Sequence, residues 1–304
     1  MIESLRFRTS EIAEYISWSY FFYAWGVPPR YSQVAKVHGC QSCITGWINQ
    51  FETEEERARA REAVKLYNDA RKIIADVDGK YDFRCRFAIL DAVSKDDDIY
   101  VYGEDGIRVC IPCLRQQYNP EPNGMCLCLA DYIRPESMGG RDRIGVFVAS
   151  NDGEMEQQGG DDGYVHLLYQ TLSDRLCEAG TEWAHALIKR KYWGYAPDEK
   201  CSVDDMIVGK YRGIRPAIGY PSMPDQSIIF ILDKLIDFSQ IGVQVTEIGA
   251  MKPHSSTCGL MFAHPRAHYF NVGKIGMDQA EDYIKRRGLP KEVMQKYLRQ
   301  NIVI

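Results

Sequence analysis

The segment at 213–225, GIRPAIGYPSMPD, carries the residue types best suited to hold a small charged ligand. Its prolines hold φ near about −65° and restrict the residues before them, while Gly213 and Gly219 permit turns or a close approach of the backbone to a ligand. We therefore predict a rigid loop that presents Arg215 and Tyr220, because a preformed loop loses little entropy on binding. A guanidinium can bind a carboxylate through two parallel hydrogen bonds, so Arg215 is a candidate anion-binding residue. On composition alone, a proline-rich surface connector is the alternative.

Two cysteine pairs form a second candidate site. A C-x-x-C spacing lets both sulfur atoms face one ion, so two such pairs could hold a tetrahedral zinc ion or an iron–sulfur cluster. The pairs are Cys40 with Cys43 and Cys110 with Cys113, and 66 residues separate them, so only the fold can bring them together. The alternative is four unrelated thiols. We expect the other cysteines to be core residues or inert packing.

The elements that must position these residues follow from the apolar pattern. Thr53 and Glu56 form a capping box, and apolar residues then recur at helical spacing until Gly79. We also predict helices at 11–25, 164–192, 277–287 and 290–299, and one that begins at Ser202. We predict strands at 83–93, 99–102, 107–111, 127–133, 144–149, 243–248, 258–263 and 268–274. Strands joined in hairpins and flanked by helices indicate an α+β fold, with one domain over 1–304 built on a twisted antiparallel sheet.

Composition limits the classes of partner and location. The net charge of −5 gives no electrostatic reason to expect binding to nucleic acid or to anionic lipid. No apolar run approaches the roughly 20 residues of a membrane span, and the N-terminus lacks the apolar region of a signal peptide. We therefore expect a cytoplasmic protein whose ten cysteines are not in disulfides.

Several blocks of the sequence resemble the activation domain of cobalamin-dependent methionine synthase, the module that binds S-adenosylmethionine. The stretch RPAIGYP at 215–221 is similar to the RPAPGYP element of that family. Further similar blocks, in the order of the family, are EYISWSYFFYAWG at 14–26, LRQQ at 114–117, CLADYIRP at 128–135, DRLCEAGTEWAH at 174–185, YWGYAPDE at 192–199, HPRAHYFNVGKI at 264–275 and DQAEDYIKRRG at 278–288. The blocks cover nearly the whole chain, and the resemblance implies a single C-shaped domain.

The resemblance also implies a set of ligand contacts. Arg215 would receive the carboxylate of S-adenosylmethionine, and backbone groups near Gly219 would meet the adenine edge. The implied contacts are Ser17, Glu178, Arg215, Ala217, Gly219, Tyr220 and Tyr269. Without the resemblance, Glu178 would be interpreted as a solvated helix carboxylate and Tyr269 as a half-buried strand residue.

Three features depart from the family. Its N-terminal motif has an aspartate where this chain has Ser17. The glutamate expected four residues before the Lys-Tyr-x-Gly-Ile-Arg segment has moved, and the residue just before Lys210 is Gly209. Serine accepts a hydrogen bond but carries no charge. Since charge-assisted bonds contribute about 1.5–3 kcal/mol, we expect an affinity weaker by about one to two decades. The third departure is an insertion near 30–52 that contains the first cysteine pair.

The resemblance implies a stand-alone reactivation module. Such a module docks on the cobalamin-carrying core of methionine synthase, where S-adenosylmethionine and an electron from a flavodoxin-like or ferredoxin-like donor restore methylcobalamin from cob(II)alamin. This chain has no D-x-H-x-x-G cobalamin loop, so we expect the corrinoid to arrive on the partner, and we expect no catalytic side chain here. Two alternatives remain open. One is a non-catalytic docking or sensing module with a cysteine-bound metal, and the other is an activator of a different corrinoid methyltransferase.

Overall fold

An antiparallel sheet of six strands forms the centre of the protein, whose computed structural model describes residues 1–118 and 124–303. The strands, including a separate pair formed by β6 and β7, are β1 (Ile2–Arg8), β2 (Asp82–Lys95), β3 (Asp98–Tyr102), β4 (Arg108–Pro112), β5 (Asp142–Ser150), β6 (Gln244–Val245), β7 (Met251–Lys252) and β8 (Ser256–Met261). The sheet order is β4-β3-β2-β5-β8. One edge of β2 pairs with β1 and then with β3, while its other edge pairs with β5. The predicted α+β class with an antiparallel sheet is confirmed.

Helices cover both faces of this sheet. They are α1 (Thr9–Ile12), α2 (Trp18–Ala24), α3 (Gln41–Ile48), α4 (Glu54–Val77), α5 (Gly163–Leu187), α6 (Val203–Ile207), α7 (Ile229–Ile236), α8 (Met277–Arg287) and α9 (Lys291–Tyr297). Phe83 and Phe87 of β2 join a core formed with α4 and α5, whereas Leu90 and Ala92 join a second core formed with α7. Successive side chains of a strand point to opposite faces, so β2 contributes to both cores.

Local sequence signals explain the two longest helices. The Thr53 hydroxyl accepts the Glu56 N–H at 3.2 Å and the Glu56 carboxylate accepts the Thr53 N–H at 3.3 Å, which confirms the predicted capping box of α4. Helix α5 passes close over the sheet because Gly180 has no side chain. A methyl group there would lie 2.5 Å from the Phe83 ring.

The structure corrects several predicted elements. The single helix expected at 11–25 is broken into α1, a 3₁₀ turn at Ala13–Tyr15 and α2, with Ser17 extended between them. The strands expected at 127–133 and 268–274 are wrong: the first contains a 3₁₀ turn at Leu129–Tyr132, and the second has no strand.

Packing explains why the two predicted strands are absent. The centres of the Tyr132 and Phe270 rings are 6.4 Å apart. The alternation of apolar residues therefore reflects an aromatic cluster and not the hydrogen-bonded pairing of a strand. Four elements had no prediction: strands β1 and β7 and helices α3 and α7. Within the described residues, no helix is long and apolar enough to cross a membrane.

Candidate functional site

The proline-rich loop begins as an extra segment along the edge of β8. Ile214 and Phe262 exchange backbone hydrogen bonds of 3.1 and 2.9 Å. Gly219 then turns the chain with φ of +83°, and its N–H donates to the Met223 carbonyl at 2.9 Å. Because this N–H is already bonded, it is not free to meet a ligand. The loop is therefore held by the sheet as well as by its prolines.

Ala217 presents a free backbone donor. It lies opposite Gly259, and the residues on either side of it make the bonds to β8. In such a pair the N–H and C=O groups point away from the neighbouring strand. The Ala217 carbonyl accepts the Tyr220 N–H at 3.3 Å, while the Ala217 N–H has no acceptor among residues 1–118 and 124–303.

One cavity of about 980 Å³ gathers most of the predicted ligand residues. Six of the seven line it: Ser17, Glu178, Arg215, Ala217, Tyr220 and Tyr269. The exception is Gly219, which shapes the turn behind the cavity wall. A second cavity of about 1000 Å³, beside Tyr132 and His264, contains none of the seven.

Arg215 already has an acidic partner inside the cavity. Its Nη2 donates to Glu182 Oε1 at 2.6 Å, and only 6% of its side chain is exposed. Burial alone would lower the pKa of Arg215, but the acidic groups around it, Glu182 first, together raise the pKa above its ordinary value, so the guanidinium stays charged. Its Nε is enclosed and has no acceptor in the described part of the chain. The predicted cation is therefore present, but Glu182 already occupies one of its donors.

Two tyrosines, Tyr269 and Tyr211, lie in a row that begins at the backbone N–H of Arg215. The Tyr269 hydroxyl accepts the backbone N–H of Arg215 at 2.9 Å and lies 3.4 Å from the Tyr211 hydroxyl. Burial raises the pKa of Tyr211, which therefore stays neutral. Nearly half of Tyr269 remains exposed, so its ring is available to a ligand while its hydroxyl holds the loop.

The outer part of the cavity is aromatic. The negative charge of Glu178, followed by burial, raises the pKa of Tyr220, which places the Tyr220 hydroxyl within electrostatic reach of that carboxylate. Tyr20 and Tyr220 line the wall yet are 59% and 53% exposed. Their rings form an open rim of flat apolar surface.

Helix α5 supplies the charged wall. Arg175, Glu178 and Glu182 are spaced by three and four residues, so they lie on one face of the helix, and all three line the cavity. Arg175 forms no ion pair within the described ranges. Sequence reasoning missed Arg175 and Glu182, although their spacing from Glu178 was a usable signal.

Two of the three departures from the family, at Ser17 and Gly209, fall in the cavity wall. Ser17, extended at the start of α2, and Gly209, with φ of +70°, both line it. The acidic groups that remain in the wall are Glu178 and Glu182. The cavity therefore keeps two carboxylates, both on α5 and neither at Ser17 or Gly209.

A buried polar layer supports the cavity from behind. Lys189 pairs with Glu199, and its ammonium lies 4.1 Å from the centre of the Tyr211 ring. His185 packs edge-on against the same ring at 5.1 Å. Burial, followed by the charges of Arg215 and Lys189, lowers the pKa of His185, which is therefore neutral near pH 7.

The far end of the loop is anchored by Asp225. Its Oδ2 accepts hydrogen bonds from Arg287 Nε at 2.9 Å and from the Tyr283 hydroxyl at 2.8 Å, and its Oδ1 accepts the Ser227 N–H at 2.8 Å. Asp225 and Arg287 are both buried, with side chains 2% and 6% exposed. This network attaches the loop to α8.

The structure does not bring the two cysteine pairs together. Cys40 and Cys43 lie with His38 at the exposed start of α3, and their ligand atoms are all within 4.8 Å of one another. Within the described residues, this group includes neither Cys110 nor Cys113. Helix α3 packs on α4, whereas Cys110 belongs to the edge strand β4. The predicted four-cysteine zinc or iron–sulfur centre is therefore not formed.

Comparisons with known proteins agree with this architecture. The family model described as "Vitamin B12 dependent methionine synthase, activation domain" matches residues 8–288. A solved structure described as the MetH reactivation domain bound to AdoHcy is similar with a TM-score of 0.85 and 28% sequence identity. That similarity covers 100% of this chain and 91% of the other. The match of the family model over most of the chain shows that the protein belongs to the activation domains of vitamin B12-dependent methionine synthases.

Proposed function

We propose that the chain binds S-adenosylmethionine in this cavity and serves as a reactivation module for a cobalamin-dependent methionine synthase. The observation that carries the proposal is the convergence of six predicted ligand residues on one cavity. The similar MetH reactivation domain was solved with AdoHcy bound, and AdoHcy is S-adenosylmethionine without its sulfonium methyl group.

The charges of the cavity suit the amino-acid end of this ligand, which has one carboxylate and one ammonium. Arg215 would hold the carboxylate and Glu178 the ammonium. Because Arg215 is paired with Glu182, the carboxylate would share this guanidinium, and Arg175 offers a second cation on the same wall. The amino-acid end alone adds no net charge, so it fits a wall that holds two cations and two anions.

The adenosine end would use the loop and the aromatic rim. The unbonded N–H of Ala217 can donate to a ring nitrogen of adenine, which moves the predicted backbone contact from Gly219 to Ala217. The Tyr220 and Tyr269 rings, each about half exposed, offer flat surfaces for stacking. An open rim would leave the sulfonium methyl accessible from outside.

The role of the chain in the reaction would be positioning. Bound S-adenosylmethionine would supply a methyl cation, and a flavodoxin-like or ferredoxin-like donor would supply one electron to the cob(II)alamin of the partner. Holding the ligand in a fixed orientation converts an encounter into an effectively unimolecular step. The aromatic rim, with Tyr20 and Tyr220, is the surface we assign to docking on the cobalamin core.

The main alternative is a non-catalytic docking or sensing module. It is favoured by the departures from the family at Ser17 and Gly209, which would weaken the ligand site. Glu178 and Glu182 argue against it, because they keep acidic groups in the same wall. Measured binding of S-adenosylmethionine separates the two functions.

A remethylation assay tests the proposal. The cobalamin core of methionine synthase from the same cell, in its cob(II)alamin form, is mixed with the chain, S-adenosylmethionine and reduced flavodoxin. We expect one methylcobalamin and one AdoHcy for each electron consumed, and a slower reaction with the Arg215→Ala variant. A rate that does not depend on the chain would contradict the reactivation function.

Affinity co-purification from the native cell tests the identity of the partner. We expect the chain to bring down the cobalamin-carrying core of methionine synthase. Recovery of a different corrinoid methyltransferase would show that the partner is not methionine synthase. The assignment of the ligand site would be unaffected.

A further inference from the structure

The start of α3 carries a group of metal-ligand side chains that the S-adenosylmethionine site does not use. One imidazole nitrogen of His38 and the Sγ atoms of Cys40 and Cys43 lie within 4.8 Å of one another. None of the three residues lines the ligand cavity. We propose that His38, Cys40 and Cys43 bind one thiophilic divalent cation, such as zinc, and leave a fourth coordination position open.

The distances suit such an ion. Zinc binds cysteine sulfur at about 2.3 Å and histidine nitrogen at about 2.0–2.1 Å in a tetrahedral arrangement, which places ligand atoms roughly 3.4–3.8 Å apart. Small side-chain rotations would close the present spacing to these values. Two thiolates and one imidazole with an open fourth position match the ligand type of catalytic zinc sites.

The local backbone holds the three ligands together. Cys40 is the N-cap residue of α3, so Cys43 follows within the first turn of the helix. The Cys40 N–H donates to His38 Nδ1 at 3.4 Å, which keeps the imidazole beside the thiols. His38 and Cys43 are exposed, so an ion can enter from solvent.

The segment that carries the ligands is anchored on both sides without a metal. Trp47 near the end of α3 is buried and packs edge-on against Phe51 at 5.2 Å. Phe51 stacks on the buried Tyr31 at 5.0 Å, and Val37 packs against the same core. The insertion near 30–52 therefore has its own apolar anchor. The ligand group lies on a fixed base, which lowers the entropy lost when an ion binds.

Metal titration of the reduced full-length chain tests this site. The protein is freed of metal with a chelator, and zinc is added in competition with a chromophoric chelator. Cobalt(II) is used in parallel to report tetrahedral coordination and thiolate charge transfer. We expect one equivalent of either ion per chain, with both thiols protected from alkylation when the ion is bound.

Three variants remove one ligand each. Cys40→Ser, Cys43→Ser and His38→Ala should each weaken zinc binding by at least about tenfold. Serine is a favoured N-cap residue, so Cys40→Ser should keep α3 intact, and circular dichroism checks this. The matched control is Cys110→Ser, which should bind zinc as the wild type does.

Several outcomes would overturn the site. Reduced wild-type protein that binds no stoichiometric zinc would exclude it, even if the two thiols form a disulfide on oxidation. Unchanged binding in His38→Ala would remove the histidine from the ligand set. Equal loss in Cys110→Ser would point to a different set of ligands. Since the three residues lie outside the cavity, binding of S-adenosylmethionine is a separate readout and should be the same in all variants.

Discussion

Arg215 Nη2 lies 2.6 Å from Glu182 Oε1, in a place where the two side chains are only 6% and 19% exposed. The cation assigned to the ligand is thus balanced before any ligand arrives. A buried charge left without a partner is costly, so Glu182 explains how the protein keeps an arginine at the base of an open cavity. A ligand carboxylate must share Arg215 with Glu182 or use Arg175 on the same wall.

Replacement of Arg215 tests this arrangement. Arg215→Ala should weaken binding of S-adenosylmethionine by about 2–4 kcal/mol, and Arg215→Lys should recover only part, because lysine lacks the planar pair of donors. The measurement is calorimetry, with the unfolding midpoint as a check on the fold. Arg175→Ala is measured in parallel, because Arg175 is the other cation of the cavity wall, and it should weaken binding less than Arg215→Ala. A larger loss in Arg175→Ala than in Arg215→Ala would assign the carboxylate to Arg175.

Ser17 allows a gain of affinity to be tested. Ser17→Asp returns a negative charge to the cavity wall, where it can pair with the ligand ammonium, so binding should tighten by up to about 2 kcal/mol. The control Ser137→Asp adds the same charge at an exposed residue outside this cavity. Calorimetry in which both variants behave like the wild type would show that Ser17 does not face the ligand.

The anchor at Asp225 makes a prediction about stability. Asp225→Ala removes the partner of buried Arg287 and should lower the free energy of unfolding by about 3–5 kcal/mol in urea titrations. Asp282→Ala is the control, because Asp282 pairs with Arg286 but is 62% exposed and should cost less than about 1 kcal/mol. Similar losses in both variants would mean that burial of the Asp225 network adds no stability.

The buried His185 should make the free energy of unfolding depend on pH. Burial lowers the pKa of His185 in the folded state, so below the ordinary value of about 6.5 the unfolded chain binds the proton more readily. The free energy of unfolding should therefore fall by about 1 kcal/mol between pH 6.5 and 5.5 from this residue. Urea titrations of wild type and His185→Gln at both pH values measure it. An equal fall in the variant would assign the effect to other groups.

Sequence patterns predicted the elements that are stabilised locally. The capping box at Thr53, the hairpin between β3 and β4 and the long helix α5 depend on residues close in the chain, and all three are present. The strand predicted at 268–274 failed because Phe270 belongs to an aromatic cluster around Tyr132, which depends on distant segments.

The same distinction applies to the two candidate sites. Resemblance to the family supplied Arg215 and Tyr269, but their link through the Arg215 N–H depends on a fold that brings residues 54 positions apart together. The prediction that Cys40 and Cys110 lie close together was wrong for the same reason. Equal spacing within each C-x-x-C motif gives no information about the distance between the two motifs. His38 has the local spacing that sequence reasoning could have used.

Calorimetric titration of the purified chain with S-adenosylmethionine shows directly whether this cavity binds the ligand. We expect binding of one ligand per chain, competition by AdoHcy, and loss of the binding heat in the double variant Arg215→Ala, Arg175→Ala, while that variant stays folded by circular dichroism. Absence of binding to the wild-type chain, or binding that is unchanged in the folded double variant, would contradict this expectation.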